Sequence, residues 1–218
     1  MKVLVNPRDP APLDPALLER WRRIPVAVAV DLAPEDRQIS PSIRPLLPPG
    51  RQPALFGRAV TAICAPPDFG AVLMALQKVG PDEVLVIDAG GHTDHAMIGD
   101  VLGGDLQRRG AAGIVCDGAV RDVAELAAMQ GLSVYSRAIN PRGPTGAARG
   151  VVDGPATIGG CKITPGDLIL GDGDGLVALT PDLLVSLIEA CEAKLVKEDE
   201  WRARLAAGES CAAIFGLG

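Results

Sequence analysis

The chain has 218 residues, of which 48% are hydrophobic and only 3% aromatic, and its formal charge is −6. No apolar run approaches the roughly 18 residues needed to cross a bilayer, and no dense Lys/Arg run offers a phosphate-binding surface, so neither membrane nor nucleic acid is an expected partner. Five cysteines, at 64, 116, 161, 191 and 211, form no CxxC pair, which argues against a disulfide framework or a structural zinc site. The length suits one domain over 1–218, and the opening residues lack the apolar segment of a secretory signal, so a cytoplasmic location is expected.

In chain order, a short helical pattern over 14–23 is followed by prolines at 34, 41, 45, 48 and 49, which predicts an N-terminal arm to about residue 55 that wraps its neighbours. Short β-rich runs then alternate with Ala/Leu-rich helical stretches: 58–64, 69–79, 83–88, 98–109, 113–116, 121–130 and 133–135. Such alternation predicts an α/β layered fold. Between the second strand and the next helix, His92 and His95 sit in what reads as a polar loop. Residues 140–146 are a loop by composition. Strand pieces follow around 151–152, 157–158, 161–163, 168–170 and 176–179, with turns at Pro165-Gly166-Asp167 and at residues 171–175. Pro181 opens a helix to about 207 in which Leu184, Leu187, Ile188, Cys191 and Leu195 recur at helical spacing.

The chemistry concentrates in Asp100, Arg121, Asp122 and Glu125. Asp122 and Glu125 stand three apart at the head of a helix, so both carboxylates can project from one face. Mg2+ or Mn2+ takes carboxylate and water oxygens and keeps several waters, so one or two acids and a chelating substrate can complete its octahedron. Arg121 offers a planar donor fork for a substrate carboxylate or a developing enolate oxygen. The competing reading is that these acids only favour a helix N-terminus and that Arg121 is a solvated surface charge. Gly99, ahead of Asp100, begins a helix whose free N–H groups could face an anion. No Gly-x-Ser-x-Gly elbow is present, which leaves nucleophilic hydrolysis without support.

Gly57-Arg58-Ala59-Val60-Thr61, Gly99-Asp100-Val101-Leu102, the run 113–122 ending in Arg121-Asp122, and Pro165-Gly166-Asp167 with Gly171-Asp172-x-Asp174-Gly175 together resemble one family. It is the family shared by 4-hydroxy-4-methyl-2-oxoglutarate/4-carboxy-4-hydroxy-2-oxoadipate aldolases and the regulator of ribonuclease activity A. The resemblance implies a single-domain sandwich with a β-core flanked by helices, related to swivelling β/β/α domains. It also implies a homotrimer or homohexamer with active sites between subunits.

For function, the resemblance implies a class II aldolase that cleaves a small 4-hydroxy-2-oxo acid to pyruvate and a second carbonyl compound, and that decarboxylates oxaloacetate through the same enolate. A divalent ion would be held by Asp122, with Asp100 acting directly or through water, Glu125 as a further candidate, and Glu198 reaching in from the C-terminal helix of a neighbouring subunit. Arg121 would bind the pyruvyl oxygen, and the backbone amides of Gly99, Asp100, Val101 and Leu102 would hold the pyruvyl carboxylate. The loop 140–150 lacks the Gly-Thr-x-Lys pattern of the aldolases of aromatic degradation, a departure that bears on the other half of the substrate. The alternative is a non-catalytic protein that binds and regulates a ribonuclease.

Overall fold

The computed structural model describes residues 2–217. The N-terminal arm contains a short strand β1 (Leu4–Val5), helices α1 (Pro15–Trp21) and α2 (Val26–Leu32), a 3-10 turn at Glu35–Arg37, and strands β2 (Gln38–Ile39) and β3 (Arg44–Pro45). Asp14 starts α1 by accepting from the Ala16 amide, and Pro15 supplies a helix-ready φ at the first position. The arm wraps the rest of the chain: β1 pairs with residues 151–152, β2 and β3 add to opposite edges of the main sheet, and α1 docks through the Trp21 indole N–H onto the Leu184 carbonyl at 3.0 Å.

The centre is a βαβ series of β4 (Leu55–Ile63), α3 (Gly70–Ala75), β5 (Glu83–Ile98), α4 (Asp100–Arg108), β6 (Gly113–Val120), α5 (Val123–Ala128) and β7 (Ser133–Ile139). The four strands pair in parallel, as the intervening helices require. The chain then runs through β8 (Val151–Val152), β9 (Ala156–Ile158), β10 (Cys161–Ile163), β11 (Leu168–Gly171), β12 (Leu176–Leu179), the long helix α6 (Pro181–Ala206) and α7 (Cys211–Ile214). The main sheet has the order β2-β12-β11-β4-β5-β6-β7-β3, with β8 on β4 and β1 on β8, while β9 and β10 form a separate hairpin. The result is the α/β layered architecture that the alternation predicts.

Alternating side chains of the buried strands feed different cores. Leu85 and Ile87 face α3, α4 and α5, where they meet Val72, Leu106 and Leu126. Val84 and Val86 point to the opposite face and pack with Ile158, Cys161 and Ile163 of the β9–β10 hairpin. A third core joins Leu168, Leu170, Val177 and Leu179 to Trp21, Leu184 and Ile188, so α1, α2 and α6 cover the antiparallel half of the sheet. Thr180 caps α6 by accepting from the Leu183 amide, with Pro181 at its first position.

One segment differs in kind from its expectation. Residues 89–97, read as a polar loop, continue β5, but register shifts against β6 between Asp88, His92, Ala96 and Ile98 bow the strand outward. Gly90 and Gly91, at φ of 60° and 76°, supply backbone that other residues rarely adopt, so the bow is built by glycines inside a strand. His92 and His95 sit on it with Nε2 and Nδ1 3.1 Å apart.

Candidate active site

The register Ile98↔Val120 brings the carboxyl ends of β5 and β6 side by side, and each strand turns at once into a helix. That places Gly99-Asp100 beside Arg121-Asp122, at the end of a parallel sheet where crossover connections leave a crevice. The Arg121 amide donates to the Ile98 carbonyl at 3.1 Å and locks the two turns together. Asp122 adopts left-handed backbone (φ 54°, ψ 46°), and its carbonyl accepts from the Leu126 amide to begin α5. Its carboxylate turns toward α4: Oδ2 accepts from the Asp100 amide at 3.3 Å and lies 3.3 Å from Arg121 Nε.

Glycine is required at two places around this pair. A Cβ on Gly99 would stand 2.3 Å from Asp122 Oδ2 and 2.9 Å from Arg121 Cγ, and one on Gly143 would stand 2.6 Å from Arg121 Nη1. The two bare backbones therefore let the guanidinium and the carboxylate lie flat between α4 and the loop after β7.

A cavity of about 390 Å3 opens here, lined by Gly99, Asp100, Val101, Leu102, Arg121 and Asp122 on one side and by Phe69, Leu73, Gly143 and Pro144 on the other. At the start of α4 the Asp100 amide is engaged by Asp122 and the Gly103 amide by the Gly99 carbonyl. Among the described residues the Val101 and Leu102 amides find no acceptor, so two of the orphan donors of this nine-residue helix, with its positive dipole end, remain for an anion.

The second wall comes from a loop that α3 holds. Asp68, 4% exposed, accepts from the amides of Gly70, Ala148 and Arg149 at 2.8 to 3.1 Å, and the Phe69 amide donates to the Gly146 carbonyl. Burial pushes the Asp68 carboxyl up, but the N–H donors of Arg149, Ala148 and Gly70 and the Arg149 guanidinium outweigh it and hold the group below the usual carboxylate range. The Ala96 amide donates to the Arg142 carbonyl at 2.7 Å, which ties the same loop to β5.

Six of the residues expected at a site, Gly99, Asp100, Val101, Leu102, Arg121 and Asp122, thus meet in one cavity. Glu125 is exposed on α5 outside the lining, and Glu198 lies on α6, where it accepts from Arg202 Nη2 at 3.0 Å. The four expected metal-binding acids are therefore not brought to one point by a single chain, and no group of three His, Cys, Asp or Glu among the described residues is placed to hold a metal. The donors that do converge are the hard oxygens of Asp100 and Asp122, which fit Mg2+ or Mn2+ holding most of its waters and do not fit a softer, protein-caged ion. No cysteine lines the cavity, and burial pushes the Cys64 thiol up to about 12, which removes it as a thiolate nucleophile. Asp68, Phe69, Leu73 and Pro144 escaped sequence reasoning. The loop composition of 140–146 was legible, but nothing local said that it folds back over Arg121.

Fold and cavity define an α/β protein with an anion-binding pocket at the carboxyl ends of two adjacent parallel strands, flanked by an arginine and two carboxylates. A family model described as RraA-like, Aldolase/RraA, matches residues 27–178, and the chain belongs to that family. A protein of Halalkalibacterium halodurans with the provisional name 4-hydroxy-4-methyl-2-oxoglutarate aldolase is 30% identical over 187 residues, covering 86% of this chain and 87% of its own. Among solved structures, an uncharacterized protein of Pseudomonas syringae shares the fold with a TM-score of 0.82 at 22% identity, over 94% of this chain and 98% of its own. The RNA-processing inhibitor RraA from Thermus thermophilus aligns with a TM-score of 0.63 at 30% identity, over 71% of this chain and 92% of its own.

Proposed function

We propose that the protein is a carbon–carbon lyase, a divalent-metal-dependent pyruvate aldolase that cleaves a 4-hydroxy-2-oxo acid and also decarboxylates oxaloacetate. The observation that carries this reading is the convergence of Arg121, Asp122 and the free amides of Val101 and Leu102 on one cavity. The name of the Halalkalibacterium relative supports the same class of reaction.

Asp122, with Asp100 directly or through water, would hold Mg2+ or Mn2+. Glu125 and a neighbouring copy's Glu198 would stand outside the cavity of a single chain. When bound, the ion supplies Lewis acidity to the 2-oxo and carboxylate oxygens of the substrate. The Val101 and Leu102 amides hold the C1 carboxylate at the head of α4. A water held by the Asp100 carboxylate takes the proton of the 4-hydroxyl as the C3–C4 bond breaks. The hydroxyl carbon becomes the carbonyl of the leaving product, and the bonding pair moves to C3, forming the C2–C3 double bond and placing the charge on the C2 oxygen. Arg121 donates to that oxygen, a stabilisation typically worth about 3–4 kcal/mol. Protonation of C3 gives pyruvate. In oxaloacetate the bond that breaks leads to a carboxylate, carbon dioxide departs, and the same enolate forms. Assembly as a homotrimer or homohexamer is part of this proposal, and a sedimentation mass equal to one 22.5 kDa chain would refute that part.

The test is pyruvate release from oxaloacetate by chelator-stripped protein, with and without added Mg2+ or Mn2+, after subtraction of the metal-only background. Turnover restored by metal and reduced about a hundredfold or more in Arg121→Ala is expected. No turnover above background would favour the second reading, a regulator that binds a ribonuclease, for which the likeness to the Thermus inhibitor is the supporting observation. A pulldown with a ribonuclease complex would then be the decisive experiment.

A further inference from the structure

The cavity is chemically lopsided. Arg121 is the one cation among its lining residues, and it stands with Asp100, Asp122 and the head of α4 at one end. The facing wall is Phe69, Leu73 and Pro144, with Met97 and Ile98 on the floor. The nearest other arginines are spent elsewhere. Arg149 Nη2 donates to the Ala65 carbonyl and Nε lies 3.7 Å from Asp68, and the exposed Arg142 is outside the lining.

We propose that the group on C4 of the substrate is uncharged and apolar, so that the protein prefers alkyl-substituted 4-hydroxy-2-oxo acids to those carrying a second carboxylate. The inference rests on the aldolase reading above. Once the C1 carboxylate and C2 oxygen occupy the α4 amides and Arg121, a second carboxylate would face three apolar side chains with no donor. It would also feel the like charges of Asp100 and Asp122. An alkyl group there gains by displacing water from Phe69, Leu73 and Pro144. The substrate in the Halalkalibacterium relative's name does carry a carboxylate on C4, so this chain would differ from that name in the half of the substrate its loop 140–150 touches.

The experiment compares kcat/KM for 4-hydroxy-4-methyl-2-oxopentanoate and 4-hydroxy-4-methyl-2-oxoglutarate, which differ only by a methyl in place of a carboxylate at C4. The purified full chain is used with added Mg2+, and pyruvate is counted once per turnover for the first compound and twice for the second. A preference of about tenfold or more for the pentanoate is expected. Leu73→Arg should shift the ratio about tenfold toward the glutarate, a comparison in which the intrinsic reactivities of the two compounds cancel. Equal or better use of the glutarate by the native protein would overturn the inference. No pyruvate from either compound while oxaloacetate is still turned over would also overturn it but leave the enolate site standing. No pyruvate from any of the three would remove the aldolase reading itself.

Discussion

At the residue scale the site depends on what two glycines leave out. Gly99 has extended backbone (φ −146°) that alanine also adopts, so Gly99→Ala introduces no backbone strain and acts only through its methyl group. That methyl would overlap Asp122 Oδ2 and Arg121 Cγ, both on side chains that can move aside. We expect kcat/KM for pyruvate release to fall about a hundredfold, as for other small misplacements of reacting groups, while the melting temperature stays within a few degrees of the native value. A large fall in melting temperature instead would show that Gly99 serves the fold. Asp100, Arg121 and Asp122 were legible in the sequence because their residue types and spacing carry the chemistry. Gly143 was not, because its importance lies in a contact with Arg121 from 22 residues away, a distance no local pattern encodes.

At the element scale, the loop 140–149 is a wall only because Asp68 grips it through three amides. The carboxyl of Asp68 lies below the usual range, so the grip is fully present above the unfolded value near 3.8 and is lost only as pH falls through the lower folded value. Near neutrality the wall should be insensitive to pH. Asp68→Asn, which replaces one acceptor oxygen by a donor, should raise KM for the oxo acid about tenfold with a smaller change in kcat, since the wall shapes binding and Arg121 serves the bond-breaking step. An unchanged KM would show that the loop holds itself in place. The helices α3, α4 and α5 end sooner than their sequence patterns do, at Ala75, Arg108 and Ala128. Apolar periodicity marks the face that packs, whereas the ends of a helix are set by caps and by the turns to the next strand. The bow in β5 was legible as glycines and missed as strand, because pairing with β6 is a tertiary fact.

At the scale of the whole molecule, the N-terminal arm closes over a charge that the fold does not fully satisfy. Asp153 is buried, neither carboxylate oxygen has a hydrogen-bond partner, and Arg8 Nε lies 3.7 Å away while its Nη1 is paired with Glu83 at 2.7 Å. Burial raises the Asp153 carboxyl above its ordinary value, and Arg8 and Lys78 only partly offset it. A raised carboxyl means that the native state binds the proton more tightly, so stability falls as pH rises from about 3.8 through the folded value. Asp153→Asn keeps the shape and suits the left-handed backbone at φ 56°. It should raise the melting temperature by about 2–4 °C at pH 7, with the gain disappearing below about pH 4. A loss of stability at neutral pH would mean that the ion pair with Arg8 outweighs the burial.

The pairing of β1 with β8 also has a consequence in time. Asn6 Nδ2 donates to the Asp153 carbonyl across 147 residues of chain, and the Leu4 amide to the Gly150 carbonyl. At a synthesis rate of about 5–20 residues per second, 147 residues take roughly 7 to 30 seconds. The first strand to leave the ribosome therefore waits unpaired until almost all of the βαβ series has been made, and it is the last piece of the sheet to find its place.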